Sequence, residues 1–130
     1  MWAIIFPASL MLFIISGCDI PSAEERLKRN HLPKPGYQAD AIRGQRVFIQ
    51  NCSSCHGLQA LGTKQGPPLI DDIYRPSHHS NLSFHWAVKN GVTQHHWHFG
   101  NMPPIPQVNP EQTADIALWI RKRQQKAGIK

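Results

Sequence analysis

Two cysteines three positions apart with a histidine directly after the second, Cys52-Ser53-Ser54-Cys55-His56, constrain this chain more than any other feature. Each thiol in such a run can add to a vinyl group of one haem. The next residue then offers an imidazole to the iron on one face, so the pattern reads as covalent haem attachment. A bare C-x-x-C also serves as a thioredoxin-like redox pair or as half of a zinc site. The redox pair belongs in a βαβ context, which the sequence lacks. The zinc site needs a second Cys or His pair, and the histidines downstream leave that open.

Length and composition narrow the fold. With 130 residues the chain holds one domain. Charged residues make up only 17% and prolines number 11, which argues against a long coiled coil or a charged disordered tail. Three cysteines are too few for a disulfide scaffold, and Cys18, outside the C-x-x-C, needs its own explanation. No run is long and apolar enough for a polytopic membrane protein. The formal charge is +6, and no nucleic-acid partner is expected.

Residues 1–17 contain no Asp, Glu, Lys, Arg or His and are dominated by Ile, Leu, Phe and Met, a segment of signal-peptide length. It ends Ile15-Ser16-Gly17-Cys18, small residues directly before a cysteine. This ending resembles the lipobox of bacterial lipoproteins. That resemblance implies cleavage before Cys18, lipidation of its thiol and, with Asp19 following, retention at the inner membrane. The plainer reading is a short uncleaved anchor with an incidental cysteine. Either one puts the rest of the chain outside the cytoplasm, on a membrane surface. The expected division is a signal peptide over 1–17, a lipid-anchored tether over 18–38 and a folded domain over 39–130.

Within the tether, Pro21, Pro33, Pro35 and Gly36 break helices, although Ser22 and Glu25 have capping-box spacing for a short helical turn over 22–28. Ala41, Gly44, Phe48 and Cys52 share one face of a helix expected over 40–51. Gly44 is tolerable there if another helix backbone packs closely. Residues 57–79 and 100–110 carry too many prolines and glycines for regular structure. A second helix is expected over 80–89 with Phe84, Ala87 and Val88 inward, stopped by Asn90-Gly91. A last helix starts at Asn109, with Pro110 at its first position, Gln112 completing the cap, and Ile116, Trp119, Ile120 and Arg123 at helical spacing. The fold class is therefore all-α, about three main helices and long loops.

In this order the elements resemble class I monohaem cytochromes c over roughly residues 40–124. The motifs that carry the resemblance are Gly44 and Phe48 on a helix before Cys52-x-x-Cys55-His56-Gly57, then Gly66-Pro67-Pro68-Leu69, then Met102-Pro103-Pro104, then a helix with Trp119. The resemblance implies one haem c bound through Cys52 and Cys55, with His56 and Met102 as axial ligands. It also implies a carbonyl of Pro67 or Pro68 accepting the His56 Nδ1–H, and Trp119 packed near Gly44 and Phe48. With both iron faces filled, the expected function is outer-sphere transfer of single electrons between redox partners, not catalysis. Membrane respiratory complexes with acidic docking patches are the expected partners, on the periplasmic side of the inner membrane.

Two features leave other readings open. Six of the eight histidines, His78, His79, His85, His95, His96 and His98, fall within 21 residues. One of them could replace Met102 on the iron, giving a bis-His haem, or leave an open site. His95, His96 and His98 could instead bind copper or zinc, since imidazoles suit both, and serve a metal-binding or sensing role. The ordinary alternative is hydrogen bonding to haem propionates or loop carbonyls. Residues 121–130 hold five cations and no anions. They either dock an acidic partner or answer the dipole of a helix end.

Overall fold

The structure, a computed structural model, describes residues 20–130. The proposed signal segment and Cys18 lie outside the described residues. The helices are α1 (Ala23–Arg29), α2 (Ala41–Asn51), α3 (Ser53–His56), α4 (Asn81–Asn90) and α5 (Pro110–Lys126), with a 3-10 turn at Asp72–Tyr74. The architecture is all-α. The sole β pairing among the described residues is an isolated antiparallel bridge between Val92 and Met102.

α2 and α5 form the frame. Asp40 caps α2 by accepting from the Arg43 N–H at 2.7 Å. Asn109 and Gln112 close the reciprocal capping box of α5, with Pro110 at its start. The two helices cross where α2 has no side chain: a Cβ on Gly44 would strike the backbone carbonyl of Asp115. One turn on, the Phe48 and Trp119 rings pack with centroids 4.7 Å apart. Around this crossing the buried apolar core is small, comprising Phe48, Ala60, Val88, Val108, Ile116, Trp119 and Ile120. So few side chains make a limited core for a domain of this length.

A buried carboxylate locks the same crossing. Asp115, 2% exposed, accepts from the Asp40 N–H at 2.6 Å, the Tyr37 hydroxyl at 2.9 Å and Arg43 Nε at 2.9 Å. Burial pushes its carboxyl up, but the bonds from Arg43, Asp40 and Tyr37 outweigh that and hold it below the usual carboxylate range. On an amphipathic helix a lone Asp reads as solvent-facing, so periodicity gave no sign of this hub.

Residues 28–37 of the segment expected to be a tether are hydrogen-bonded to the folded domain. Ser22 and Glu25 form the capping box of α1. The C-terminal carbonyls of Lys28 and Arg29 accept from Lys89 Nζ at 2.9 and 2.7 Å, placing a cation at the negative end of the helix. The chain then turns at His31, whose φ is +54°. The His31 carbonyl accepts from His85 Nδ1 at 2.6 Å, and His31 Nε2 donates to the Val108 carbonyl at 3.1 Å. Trp86 Nε1 donates to Asn30 Oδ1 at 3.1 Å. Polar groups that would face water around a free linker are here spent on α4 and α5.

α4 occupies the expected place, starting after Ser80 and ended by Gly91, but its buried residues are His85 and Val88, with Phe84 and Ala87 only half-buried. His85 goes inward because the docked segment offers its ring a carbonyl. The C-terminal cations also need revision. Arg121 is buried, and its guanidinium donates to the Tyr74 carbonyl, Gln124 Oε1, Asn81 Oδ1 and the His79 carbonyl. It also stacks on Phe84, 4.9 Å from the ring centroid. Arg121 therefore ties the 72–81 loop to α5 and is withdrawn from any docking surface. Arg123 lies over Trp119 at 5.4 Å, and Lys122, Lys126 and Lys130 stay exposed. Among the described residues no helix is long and apolar enough to cross a membrane.

Candidate cofactor site

The C-x-x-C-H run forms a tight corner. Cys52 ends α2, its N–H donating to Phe48 O at 2.8 Å, and its own carbonyl then accepts from the Cys55 and His56 N–H groups at 3.2 and 2.9 Å. The single turn of α3 thus follows α2 without a linker. Both thiols are free. Burial, then the neighbouring Cys55, pushes the Cys52 thiol up to about 11, so it stands protonated at neutral pH, whereas Cys55 is exposed.

His56 is nearly buried at 9% exposure. Its Nδ1 donates to the Pro67 carbonyl at 2.8 Å, so of the two prolines considered it is Pro67 that holds the ring. This bond fixes the tautomer with Nε2 deprotonated. Nε2 has no hydrogen-bond partner among the described residues. Burial lowers the His56 pKa against the opposing effect of the Pro67 bond, which keeps the imidazole neutral. Residues 57–67 reach this position by folding back on the corner. Thr63 Oγ1 donates to Cys55 O at 2.6 Å and Gly62 N to His56 O at 2.8 Å, and at Gly66 a Cβ would sit 2.9 Å from the Cys55 carbonyl.

Cys52, His56 and Met102 line one cavity of about 330 Å³ with mainly apolar walls that include Phe48, Leu69 and Trp97. The exposed Cys55 lies next to it in sequence but does not line it. Met102 is carried by the bridge to Val92, and the preceding Gly91, with φ +73°, is tightly enclosed by the Met102 carbonyl and Pro104. Trp97 Nε1 donates to the Tyr74 hydroxyl at 3.1 Å, closing another side. Sequence reading missed Tyr74 and Val92; Gly91, placed only as a helix stop, was the available hint of a close approach.

These residues fit a covalently held haem. Two free thiols stand three positions apart, a buried imidazole presents an unpartnered Nε2, and a lone thioether shares a cavity with mainly apolar walls. Cys52 and Cys55 would hold the macrocycle, and His56 and Met102 the iron.

The expected group His95, His96 and His98 is not what the structure assembles. His96 joins His78 and His79, with their ligand atoms all within 4.8 Å of one another, and the His95 ring lies beside them, 4.3 Å from that of His96. His98 is exposed and apart, because Trp97 turns inward to Tyr74 and successive side chains of the 94–99 loop diverge. His79, His95 and His85 each donate Nδ1 to a backbone carbonyl, of Ile73, Thr93 and His31 respectively. His79 and His96 are held below the usual imidazole value, first by burial and then by neighbouring imidazoles.

The family model described as Cytochrome c matches residues 41–124. A cytochrome c-553-like protein of Synechocystis is 32% identical over 90 residues, 65% of this chain and 70% of that protein. The CcoP subunit of a cbb3-type cytochrome c oxidase from Rubrivivax gelatinosus is 35% identical over 85 residues, 64% of this chain. The chain spans only about 25% of that subunit's length. No solved structure gives a significant match.

Proposed function

The chain belongs to the cytochrome c family and carries one covalent haem c; from that premise we propose a lipid-anchored carrier of single electrons between partners outside the cytoplasm, with His56 and Met102 on the iron. The observation that carries the reading is the His56 side chain, buried against the cavity, its Nδ1 donated to Pro67 O at 2.8 Å and its Nε2 left over. The haem supplies a one-electron Fe(III)/Fe(II) couple.

The protein's own groups do the rest. The Pro67 carbonyl orients the imidazole and raises its basicity. Phe48, Leu69 and Trp97 give the cavity apolar walls. The Met102 thioether, soft and uncharged, would favour the reduced ion and so raise the potential. With His56 and Met102 as its ligands the iron would have no position left for a substrate, which supports a carrier and not an enzyme. Cys18, following Ser16-Gly17, supports the anchor. The exposed Lys122, Lys126 and Lys130 at one end of α5 support docking to an acidic patch on a membrane respiratory complex, and the likeness to part of CcoP agrees with such company.

Absorption spectra of the purified protein in both redox states, with and without carbon monoxide, test the reading. The expected result is a c-type reduced spectrum, a weak methionine–iron band when oxidised, and no carbon monoxide adduct. Immediate adduct formation would establish an open site instead. The anchor is tested separately: Cys18→Ser should abolish recovery of the protein with lipid, and unchanged fractionation would remove that part of the reading.

A further inference from the structure

Four histidines from two separate loops converge at the edge of the cavity. His78 and His79 end the turn after Pro76, and His95 and His96 begin the loop that leads to Met102. His78 Nε2 and His96 Nε2 lie 3.3 Å apart. Two nitrogens bound to the same tetrahedral ion at about 2.0–2.1 Å are separated by about 3.3–3.4 Å. The pair already has the edge length of such a site. A ligand nitrogen of His79 lies within 4.8 Å of both, so a rotation of the exposed His78 side chain and small shifts of the half-buried His79 and His96 rings would close a three-nitrogen face.

The tautomers are prepared as well. His79 Nδ1 donates to the Ile73 carbonyl at 2.8 Å, and His95 Nδ1 to the Thr93 carbonyl at 2.8 Å. Each carbonyl fixes the proton on Nδ1 and leaves the Nε2 lone pair for a ligand, the arrangement in which imidazoles bind metals. The base beneath is rigid. Arg121 donates to both the Tyr74 and His79 carbonyls, and the Tyr74 hydroxyl accepts from Trp97 on the opposite loop. No carboxylate joins the group, so hard, oxygen-seeking cations such as Mg²⁺ and Ca²⁺ find nothing to bind.

We propose that His78, His79 and His96, with His95 available as a fourth nitrogen, form a second metal site at the rim of the haem cavity for a divalent ion of the imidazole-preferring class, Cu(II) ahead of Zn(II). The order follows the Irving–Williams series. Because His79, His95 and His96 also line the cavity, the ion would sit beside the haem at the base of the Met102 loop. The site requires that His79, His95 and His96 stay off the iron, as the Met102 reading above has them.

The test uses haem-loaded protein titrated with CuCl₂ alone and with ZnSO₄ alone, followed by calorimetry and by Cu(II) electron paramagnetic resonance. One equivalent should bind, with nitrogen hyperfine structure from several imidazoles. His78→Ala, at an exposed side chain outside the cavity lining, should weaken binding at least tenfold with the haem spectrum unchanged, and His78→Ala with His96→Ala should weaken it at least a hundredfold. His98→Ala should bind like wild type. Binding only after haem is removed would mean that these imidazoles serve the haem itself, and would overturn the proposal. So would the absence of stoichiometric binding, or equal losses in His98→Ala.

Discussion

Val92 and Met102 exchange both of their backbone hydrogen bonds, each 2.9 Å long. This isolated bridge joins the residue after the α4 stop to the residue proposed as the sixth iron ligand. It fixes where the Met102 backbone stands before any cofactor is considered. The loop between them, residues 93–101, is thereby closed at its neck, and Gln94 closes it further by hydrogen bonds to Asn101 Oδ1 at 3.0 Å and Gly100 N at 2.9 Å.

Gly91→Ala should loosen this neck. Gly91 has φ +73°, which an L side chain rarely adopts, and its Cβ would press on the Met102 carbonyl and lie 3.1 Å from Pro104. The bridge must shift, and the thioether with it. We expect the methionine–iron band to disappear at lower temperature than in wild type, while thioether attachment of the haem persists. Thermal titration of that band measures it; an unchanged melting profile would show that the bridge does not position Met102.

How much of this was legible in the sequence follows from the range of each interaction. The caps at Ser22 and Asn109 and the stop at Gly91 are local chemistry, and each fell where its residues predicted. Gly44 and Phe48 on one face of α2 foretold a close helix crossing because the spacing alone defines the face. The fate of Asp115, Arg121 and His85 was not readable. Each is a polar residue buried by partners 40 or more positions away, and periodicity carries no information about such partners. The grouping of the histidines was hidden for the same reason. Adjacency in sequence suggested His95, His96 and His98, whereas the fold supplies His78 and His79 from another loop.

Gly44→Ala sets two effects against each other. In an isolated helix the change would gain about 1 kcal/mol. Here the new methyl would overlap the Asp115 carbonyl, a backbone atom that cannot rotate away, so α2 and α5 must separate. Overpacking of this kind costs about 1–3 kcal/mol, and opening the Phe48–Trp119 contact adds to it. The variant should be net destabilised, read by urea unfolding of the haem-loaded protein. Equal or greater stability would mean that the two backbones do not touch.

Acid should weaken the same crossing. The folded Asp115 carboxyl lies below its unfolded value, which is about 3.9. Its contribution is therefore fully present above that value and is lost as pH falls through the lower, folded one. Asp115→Asn should lower the melting temperature at pH 7 and make it less sensitive to pH below about 4. Asp115→Ala strands the Asp40 N–H and the Tyr37 hydroxyl and should cost about 2–4 kcal/mol. Parallel melting curves for wild type and Asp115→Asn across that acid range would count against the hub.

Met102 decides the electron-carrier reading. It is the one methionine among the described residues, it lines the same cavity as His56, and its backbone is held by Val92 whether or not the side chain is changed. A substitution there thus alters the ligand while the loop stays pinned. Thioether sulfur is soft and neutral and stabilises Fe(II) relative to Fe(III); imidazole is the better ligand for Fe(III). Met102→His should lower the midpoint potential by about 100 mV or more, where about 59 mV is a tenfold change in a one-electron equilibrium. Met102→Ala removes the ligand outright and should let carbon monoxide and cyanide bind readily where wild type resists. The nearby imidazoles provide an internal check. If His95 or His96 were the true ligand, Met102→Ala would leave potential and spectrum as they were, and His96→Ala would shift them instead.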